Sequence, residues 1–425
     1  MKPLKQELTD NVSSFEQLLL PVLNLDYYTF GIRNYVMISP KEAKQILIKK
    51  RPTSKKQMVA LISGLNHVLA EDIYSPINMP PFRQSAMDGY ALNLHDFLSY
   101  KLIGEVKAGD AHQLDLKPGE AVKIFTGAAV PDSANTVVQI EKTSFVDGTV
   151  LLSESFALNK NIRPIGEQIK TDDLALEKGT LLNAAAIGFL AGLGLTDVTV
   201  YKKPTVGILV TGNELVKPGN KLASGKIYES NSVMLQAALL SADFTSFHTY
   251  SVDDNFINTK KIIAKATEEN DVLLISGGIS VGDYDFVKSA LDELKVETLF
   301  YKVNQKPGKP LLVGKIKDKL IFALPGNPAA SLTCYYIYVE PILHQISGKY
   351  NGDFIVQKAL SHDFEVNNSR SQFLKASFCE GEVAILTHQQ SSMLNTFAFA
   401  NCLVYLPEGN YKLKKGEKVD VHPIC

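Results

Sequence analysis

Between residues 204 and 346 two textures alternate, and this alternation limits the fold more than any other feature. Apolar, β-rich runs at Val206–Val210, Phe244–Val252, Val272–Ile275, Val296–Val303, Leu311–Lys315 and Leu320–Leu324 predict strands. Asn231–Ala242, Asn258–Glu268, Tyr284–Leu294 and Pro328–Ile346 predict helices. Strands interleaved with helices at this spacing imply a doubly wound α/β sheet with helices on both faces. Ligands of such sheets bind beyond the carboxyl ends of the strands.

Four loops fall at that edge. They are Thr211-Gly212-Asn213-Glu214-Leu215, Ser276-Gly277-Gly278-Ile279-Ser280-Val281-Gly282-Asp283, Lys306-Pro307-Gly308-Lys309-Pro310 and Pro325-Gly326-Asn327-Pro328. The glycine loop gives backbone N–H groups room to approach phosphate oxygens, as anion-binding nests require. Its spacing is neither the Walker pattern nor the dinucleotide G-x-G-x-x-G. Asn327 is expected to cap the last helix, with Pro328 at its first position and an anion favoured nearby. Prolines bound the loop carrying Lys306 and Lys309, so their charges should stay near one place. Any one loop could be an ordinary turn; four gathered on one edge point to a site. Carboxylates join them: Glu214 in the first loop, Asp253 and Asp254 ending the second strand, Asp283 and Asp285 after the glycine loop. A lone Asp after a strand is commonly a helix cap. Carboxylates beside a polyphosphate need a hard cation such as Mg²⁺ between them.

The flanking regions differ. Ser39-Pro40 predicts a helix to about Lys50, and a second helical stretch is expected over Lys55–Leu61. Short β-rich runs at Ala121–Phe125, Thr136–Ile140 and Thr149–Leu152 make residues 100–172 a small β module. An apolar helix is expected over Ala184–Gly192, and residues 351–425 suggest a small barrel or sandwich. Residues 1–36 read as an appendage in which Ser13–Leu25 could form a short amphipathic helix.

Composition excludes several classes. The 425 residues, 45% apolar and 21% charged, are enough to bury several cores. Lys+Arg 44 against Asp+Glu 45 leaves a net charge of −1, which argues against a whole-protein nucleic-acid footprint. No apolar run approaches the roughly 18 residues of a membrane span. Leu18-Leu19-Leu20 is preceded by acidic residues and interrupted by Pro21, unlike a signal peptide. The four cysteines, Cys334, Cys379, Cys402 and Cys425, are too scattered for a disulfide framework or zinc site, so a reduced, cytoplasmic chain is expected.

The most unusual segment is Met79-Pro80-Pro81-Phe82-Arg83-Gln84-Ser85-Ala86-Met87-Asp88-Gly89-Tyr90-Ala91-Leu92, where composition alone makes Asp88-Gly89 a turn. It carries a resemblance. PPFRQSAMDGYAL resembles the signature of the MoeA proteins and the gephyrin E domain, the molybdopterin molybdenumtransferases. IFTGAAVP, RPIGEQ, TGNEL, SGGISVGDYD, KPGKP, LPGNPAA and QSSMLNTFAFAN follow in that family's order.

The resemblance implies an enzyme of molybdenum cofactor synthesis that inserts molybdate into adenylylated molybdopterin and releases AMP, assisted by Mg²⁺ or a similar divalent ion. It implies an elongated homodimer acting between molybdopterin adenylyltransferase and the molybdoenzymes, with no nucleic-acid or membrane partner. The implied layout has an N-terminal extension (1–36), a discontinuous linker domain (56–74 and 173–203) and a β-rich lobe (75–172). A MogA-like α/β domain (37–55 and 204–350) and a C-terminal β-barrel (351–425) complete it. The lobe is expected to close on the partner's cleft. By the same resemblance Asp88, Thr126, Glu214 and Asp285 are catalytic. Lys302, Lys306, Lys309, Arg370 and Ser391, with Ser392 an alternative to Ser391, are implied to bind substrate, joining Ser276, Gly277, Gly278, Ser280 and Asn327, expected to do so from their place in the strand-end loops. Glu214, Asp253 (or Asp254) and Asp285 hold the metal. Molybdate, a tetrahedral dianion, suits a pocket of cations and hydroxyls.

Two positions depart from the family. Gln168 stands where it often has Asp, and Lys375 where a second arginine often follows Arg370, keeping charge but losing the bidentate fork. Another reading is a gephyrin-like dimeric scaffold without catalysis. The adenylyltransferase shares the α/β fold but has neither the lobe nor the barrel.

Overall fold

The computed structural model describes residues 36–110, 114–279, 286–349 and 355–424. The helix expected over Ser13–Leu25 lies outside them. Helix α1 (Pro40–Lys50) starts on a reciprocal cap. The Ser39 N–H donates to the Glu42 carboxylate at 2.8 Å, and the Glu42 N–H donates to the Ser39 hydroxyl at 3.2 Å. Such a cap contributes about 1 kcal/mol. Its buried face, Ala43 and Leu47, joins the core of the α/β domain.

The stretch expected to be a second helix is instead a strand. Lys56–Ala60 pairs antiparallel with Asp197–Tyr201, and side-chain exposure alternates residue by residue along it. That period of two belongs to a strand, and a partner some 140 residues away in sequence overrides the helical propensity of Lys and Gln. Helix α2 (Ala184–Gly192), capped by Asn183, lies against this pair through Leu190 and completes the discontinuous linker region.

The lobe is a six-stranded sheet. Its strands are β1 (Gly89–Leu92), β2 (Ser99–Val106), β3 (Glu120–Ile124), β4 (Thr136–Gln139), β5 (Thr143–Val146) and β6 (Thr149–Leu152), ordered β4-β1-β3-β2-β6-β5. Gly89 therefore opens a buried central strand and does not close a turn. A Cβ there would lie 1.9 Å from the Val138 carbonyl oxygen, so only glycine lets β1 and β4 approach.

The α/β domain carries β7 (Val206–Thr211), β8 (Phe247–Val252), β9 (Val272–Ser276), β10 (Glu297–Tyr301), β11 (Leu312–Ile316) and β12 (Lys319–Leu324), ordered β8-β7-β9-β12-β11-β10. The first four strands in that order run parallel. Strand β11 runs against both neighbours, because Lys317-Asp318 turns it straight into β12 with Lys317 at φ 52°. β10 thus keeps the common direction, and its carboxyl end shares the edge of β7, β9 and β12. Helices α3 (Asn231–Ser241), α4 (Phe256–Glu269) and α5 (Phe286–Glu293) follow the strands. The expected single helix over Pro328–Ile346 is α6 (Pro328–Cys334), a π turn over Tyr335–Val339, and a final α segment Glu340–Ile346. Pro341 has no N–H to give the preceding turn, and the wider π turn accommodates it.

Strands β13 (Val356–Leu360), β14 (Ser371–Cys379), β15 (Glu382–Ile385), β16 (Cys402–Leu406) and β17 (Lys418–Pro423) close a barrel in the order β14-β15-β13-β17-β16-β14. Phe373, Phe397 and Leu403 leave the barrel's own core and join that of the α/β domain, seating one on the other. This seating brings barrel loops to the ligand edge of the sheet.

Candidate active site

The carboxyl ends of β7, β9 and β12, with Pro310 from the lysine loop, enclose a cleft of about 510 Å³. One close approach holds its floor. Gly277 sits at φ 99°, and a Cβ there would lie 2.5 Å from the Thr211 carbonyl oxygen. A side chain at this point would push the loops apart. Ser276, Gly277, Gly278 and Asn327 line the cleft as expected from the loop pattern. Ser280, Asp283 and Asp285 lie outside the described residues.

Asn231, at the start of α3, is the cleft residue that sequence reasoning missed. Its side-chain amide donates to the Ser276 hydroxyl at 2.7 Å and to the Gly326 carbonyl at 2.8 Å, joining three elements. The available signal was Ser230-Asn231 opening an apolar helix after an exposed loop, which otherwise looks like a simple cap.

The carboxylates separate. Glu214 lines the cleft and makes no hydrogen bond or ion pair through its side chain among the described residues. Asp254 is occupied: it accepts from the Thr211 hydroxyl at 2.8 Å and the Asn213 N–H at 3.0 Å, tying β7 to the end of β8. Asp253 faces an adjoining cavity of about 1110 Å³ along β8 and accepts from Asn258 at 3.1 Å. Among the described residues no three His, Cys, Asp or Glu side chains cluster in a ligand set.

The lysine loop is braced from below. Gln305, fully buried, accepts from the Tyr338 hydroxyl and donates to the Pro307 carbonyl at 3.0 Å and the Gly308 carbonyl at 3.4 Å. Gly308 has no room for a side chain, its Cβ position being 2.5 Å from the Cys334 sulfur. On this brace Lys306 and Lys309 stand exposed, and neither has an ion-pair partner among the described residues. Gln305-Lys306 pairs parallel with Ser371-Gln372, which sets the loop beside Arg370, also unpaired among the described residues. Lys302 lies lower, its ammonium 5.1 Å from the Tyr301 ring centre.

Asn327 occupies the cap position of α6 but makes no capping bond with its side chain. It donates to the Ser391 hydroxyl at 3.0 Å instead, linking the cleft to the barrel. Ser392, next to it, is exposed. The lysine loop and Arg370 thus come together from two modules, and Ser391 of the barrel reaches the cleft through Asn327.

Asp88 and Thr126 form a second centre. The β1–β3 register sets Gly89 against Ile124, so the residues just beyond the strand ends meet. Asp88 accepts from the Thr126 N–H at 2.7 Å and from its hydroxyl at 2.8 Å. Those two donors hold the Asp88 carboxyl below the usual carboxylate range. Neither residue lines the cleft of the same chain. Gln168 sits on an exposed turn anchored to Met79 and also lies off the cleft.

The fold thus combines an open α/β cleft lined by glycine turns, lysines and an arginine without ion-pair partners among the described residues, a β lobe and a closed barrel. Family models match in order: the MoeA N-terminal region (domain I and II) over residues 38–194, a probable molybdopterin binding domain over 207–345, and the MoeA C-terminal region (domain IV) over 359–424. A molybdopterin molybdenumtransferase of Staphylococcus aureus (strain COL) is 33% identical over 399 residues, 90% of this chain and 95% of its own. One from Haemophilus influenzae is 32% identical over 403 residues, covering 91% of this chain and 98% of its own. The crystal structure of a molybdopterin biosynthesis MoeA protein from Pyrococcus horikosii is 30% identical with a TM-score of 0.78, covering 92% of this chain and 100% of that one. The chain belongs to the MoeA family.

Proposed function

We propose that this protein is a molybdopterin molybdenumtransferase, inserting molybdate into adenylylated molybdopterin with release of AMP. The reading is carried by the strand pairing that sets Lys306 and Lys309 beside Arg370, cations without ion-pair partners among the described residues, together with the Ser391 hydroxyl bonded to Asn327 of the glycine-lined cleft. Cations of fixed geometry plus a hydroxyl donor match a tetrahedral dianion. The same charges offset the negative charge that gathers as a phosphoanhydride P–O bond breaks and AMP leaves. Backbone N–H groups at Ser276–Gly278 suit the substrate's phosphates.

Asp88, kept ionised by Thr126, is a weak base near neutrality and a strong acceptor, so it orients an attacking water. Mg²⁺ fits Glu214, the one cleft carboxylate with free oxygens among the described residues, provided substrate phosphates supply further ligands; Asp285 is the second candidate. Bound there, the ion would neutralise phosphate charge. A scaffold alone would not need cations gathered at a cleft, and the relatives are named as transferases.

The cleft takes no residue from the lobe of its own chain, which supports a homodimer in which Asp88 serves the partner's cleft. Helix α2 supports the same assembly: its nine residues are all apolar or glycine, yet only Leu190 is buried, and Met58 and Ile62 in the same linker region are 75% and 72% exposed. A cytoplasmic setting fits the unpaired Cys334, Cys379 and Cys402, and among the described residues no helix is long and apolar enough to cross a membrane. The substrate would come from molybdopterin adenylyltransferase and the product would pass to molybdoenzymes. The test is incubation of purified protein with adenylylated molybdopterin, molybdate and Mg²⁺, following AMP and metal-loaded cofactor. Both should appear together; AMP without metal-loaded cofactor, or neither, would contradict the reading.

A further inference from the structure

Lys375 is an anomaly of burial. It sits in the middle of β14 with 3% of its surface exposed, and its ammonium has no carboxylate within 4 Å among the described residues. A buried cation is costly unless its protons find partners. Here they find carbonyls. Nζ donates to the His388 carbonyl at 2.9 Å and to the Met393 carbonyl at 2.8 Å, and it lies 5.7 Å from the centre of the Phe397 ring. Burial lowers the Lys375 pKa from its ordinary value.

The two carbonyls bracket a short segment, 389–392, that contains Ser391. The segment is tied to the same strand position a second time. The Lys375 N–H donates to the Gln389 side chain at 2.9 Å, and Gln389 donates back to the Lys375 carbonyl at 2.8 Å. Thr396 adds a hydroxyl on the His388 carbonyl at 3.1 Å. The loop is therefore held from the face of β14 that carries Phe373 toward the α/β domain, and its hydroxyl at Ser391 meets Asn327 of the cleft.

We infer that Lys375 is a positioning residue for the oxyanion pocket: its buried ammonium holds the loop that presents Ser391, without itself touching the anion. This rests on the proposed reading of that pocket. It also accounts for the departure at this position, because one compact ammonium reaches both carbonyls, at 2.9 and 2.8 Å.

The test is isothermal titration of sodium molybdate into the full-length wild-type protein and into K375M, T396V, S391A and K375M/S391A, with steady-state kinetics alongside. K375M should bind molybdate about tenfold more weakly and T396V about threefold, while K375M should add less than about twofold in the S391A background, since the two act as one unit. The KM for molybdate should rise in K375M while the KM for adenylylated molybdopterin stays unchanged, and K375R should recover part of the loss. Additive effects in the double variant, or unchanged binding in K375M and T396V, would overturn the inference while leaving the pocket assignment intact. No molybdate binding by the wild-type protein would overturn the pocket assignment itself. Should K375M fail to fold, T396V decides, because it loosens the same loop and keeps the charge.

Discussion

Asp88 is an exposed side chain that acts chiefly through electrostatics. Both of its donors come from Thr126, itself exposed. Asparagine keeps a carbonyl oxygen for those donors, so D88N should fold, with at most a small drop in melting temperature, and lose AMP release. Full turnover by D88N would remove Asp88 from the reaction. The pH dependence follows from the direction of the shift. Asp88 has a folded pKa below its unfolded one, so its hydrogen bonds are fully present above the ordinary Asp range and are lost as pH falls through the lowered value. T126V keeps the amide donor and loses the hydroxyl, so the acid limb of its kcat/KM profile should move to higher pH than in wild type. An unmoved limb would mean that the hydroxyl does not act on this carboxylate. Sequence alone singled out both segments, yet the bond between them depends on the Gly89–Ile124 register, which no local pattern encodes.

At the scale of elements, the strand-end loops were legible because glycine, proline and paired lysines recur directly after apolar runs. What supports them was not. Gln305 is one polar residue between a strand and a proline, and Tyr338 sits in a helix where aromatic residues are ordinary core. Only the fold brings the two into contact beneath the lysine loop. Q305L would remove the bonds that join the Tyr338 hydroxyl to the Pro307 and Gly308 carbonyls, at a cost of about 1–3 kcal/mol. Urea denaturation measures this, and a change below about 0.5 kcal/mol would mean that the brace is not needed for folding. Asn327 is the reverse case. Asn-Pro before a helix has the pattern of a cap, but the barrel's Ser391 takes the side chain, a contact across 64 positions of sequence. Lys56–Ala60 likewise looked helical by composition until its distant partner strand set the period.

At the scale of the whole molecule, the two centres lie in different modules, and within one chain the lobe leaves the cleft unlined. If each lobe serves its partner, D88N and K309A should both be inactive alone. Co-expressed, they should recover about a quarter of wild-type activity, because half the dimers are mixed and each mixed dimer has one intact site of two. Absence of recovery in verified mixed dimers would place both residues in the same chain's site. Whether sheet loops and barrel together hold a tetrahedral oxyanion can be read from anomalous diffraction by crystals soaked in tungstate, molybdate's heavier congener. A tungsten peak is expected within hydrogen-bonding distance of the Ser391 hydroxyl and in contact with Lys306, Lys309 and Arg370. A peak seated elsewhere, with this corner empty at saturating tungstate, would contradict it.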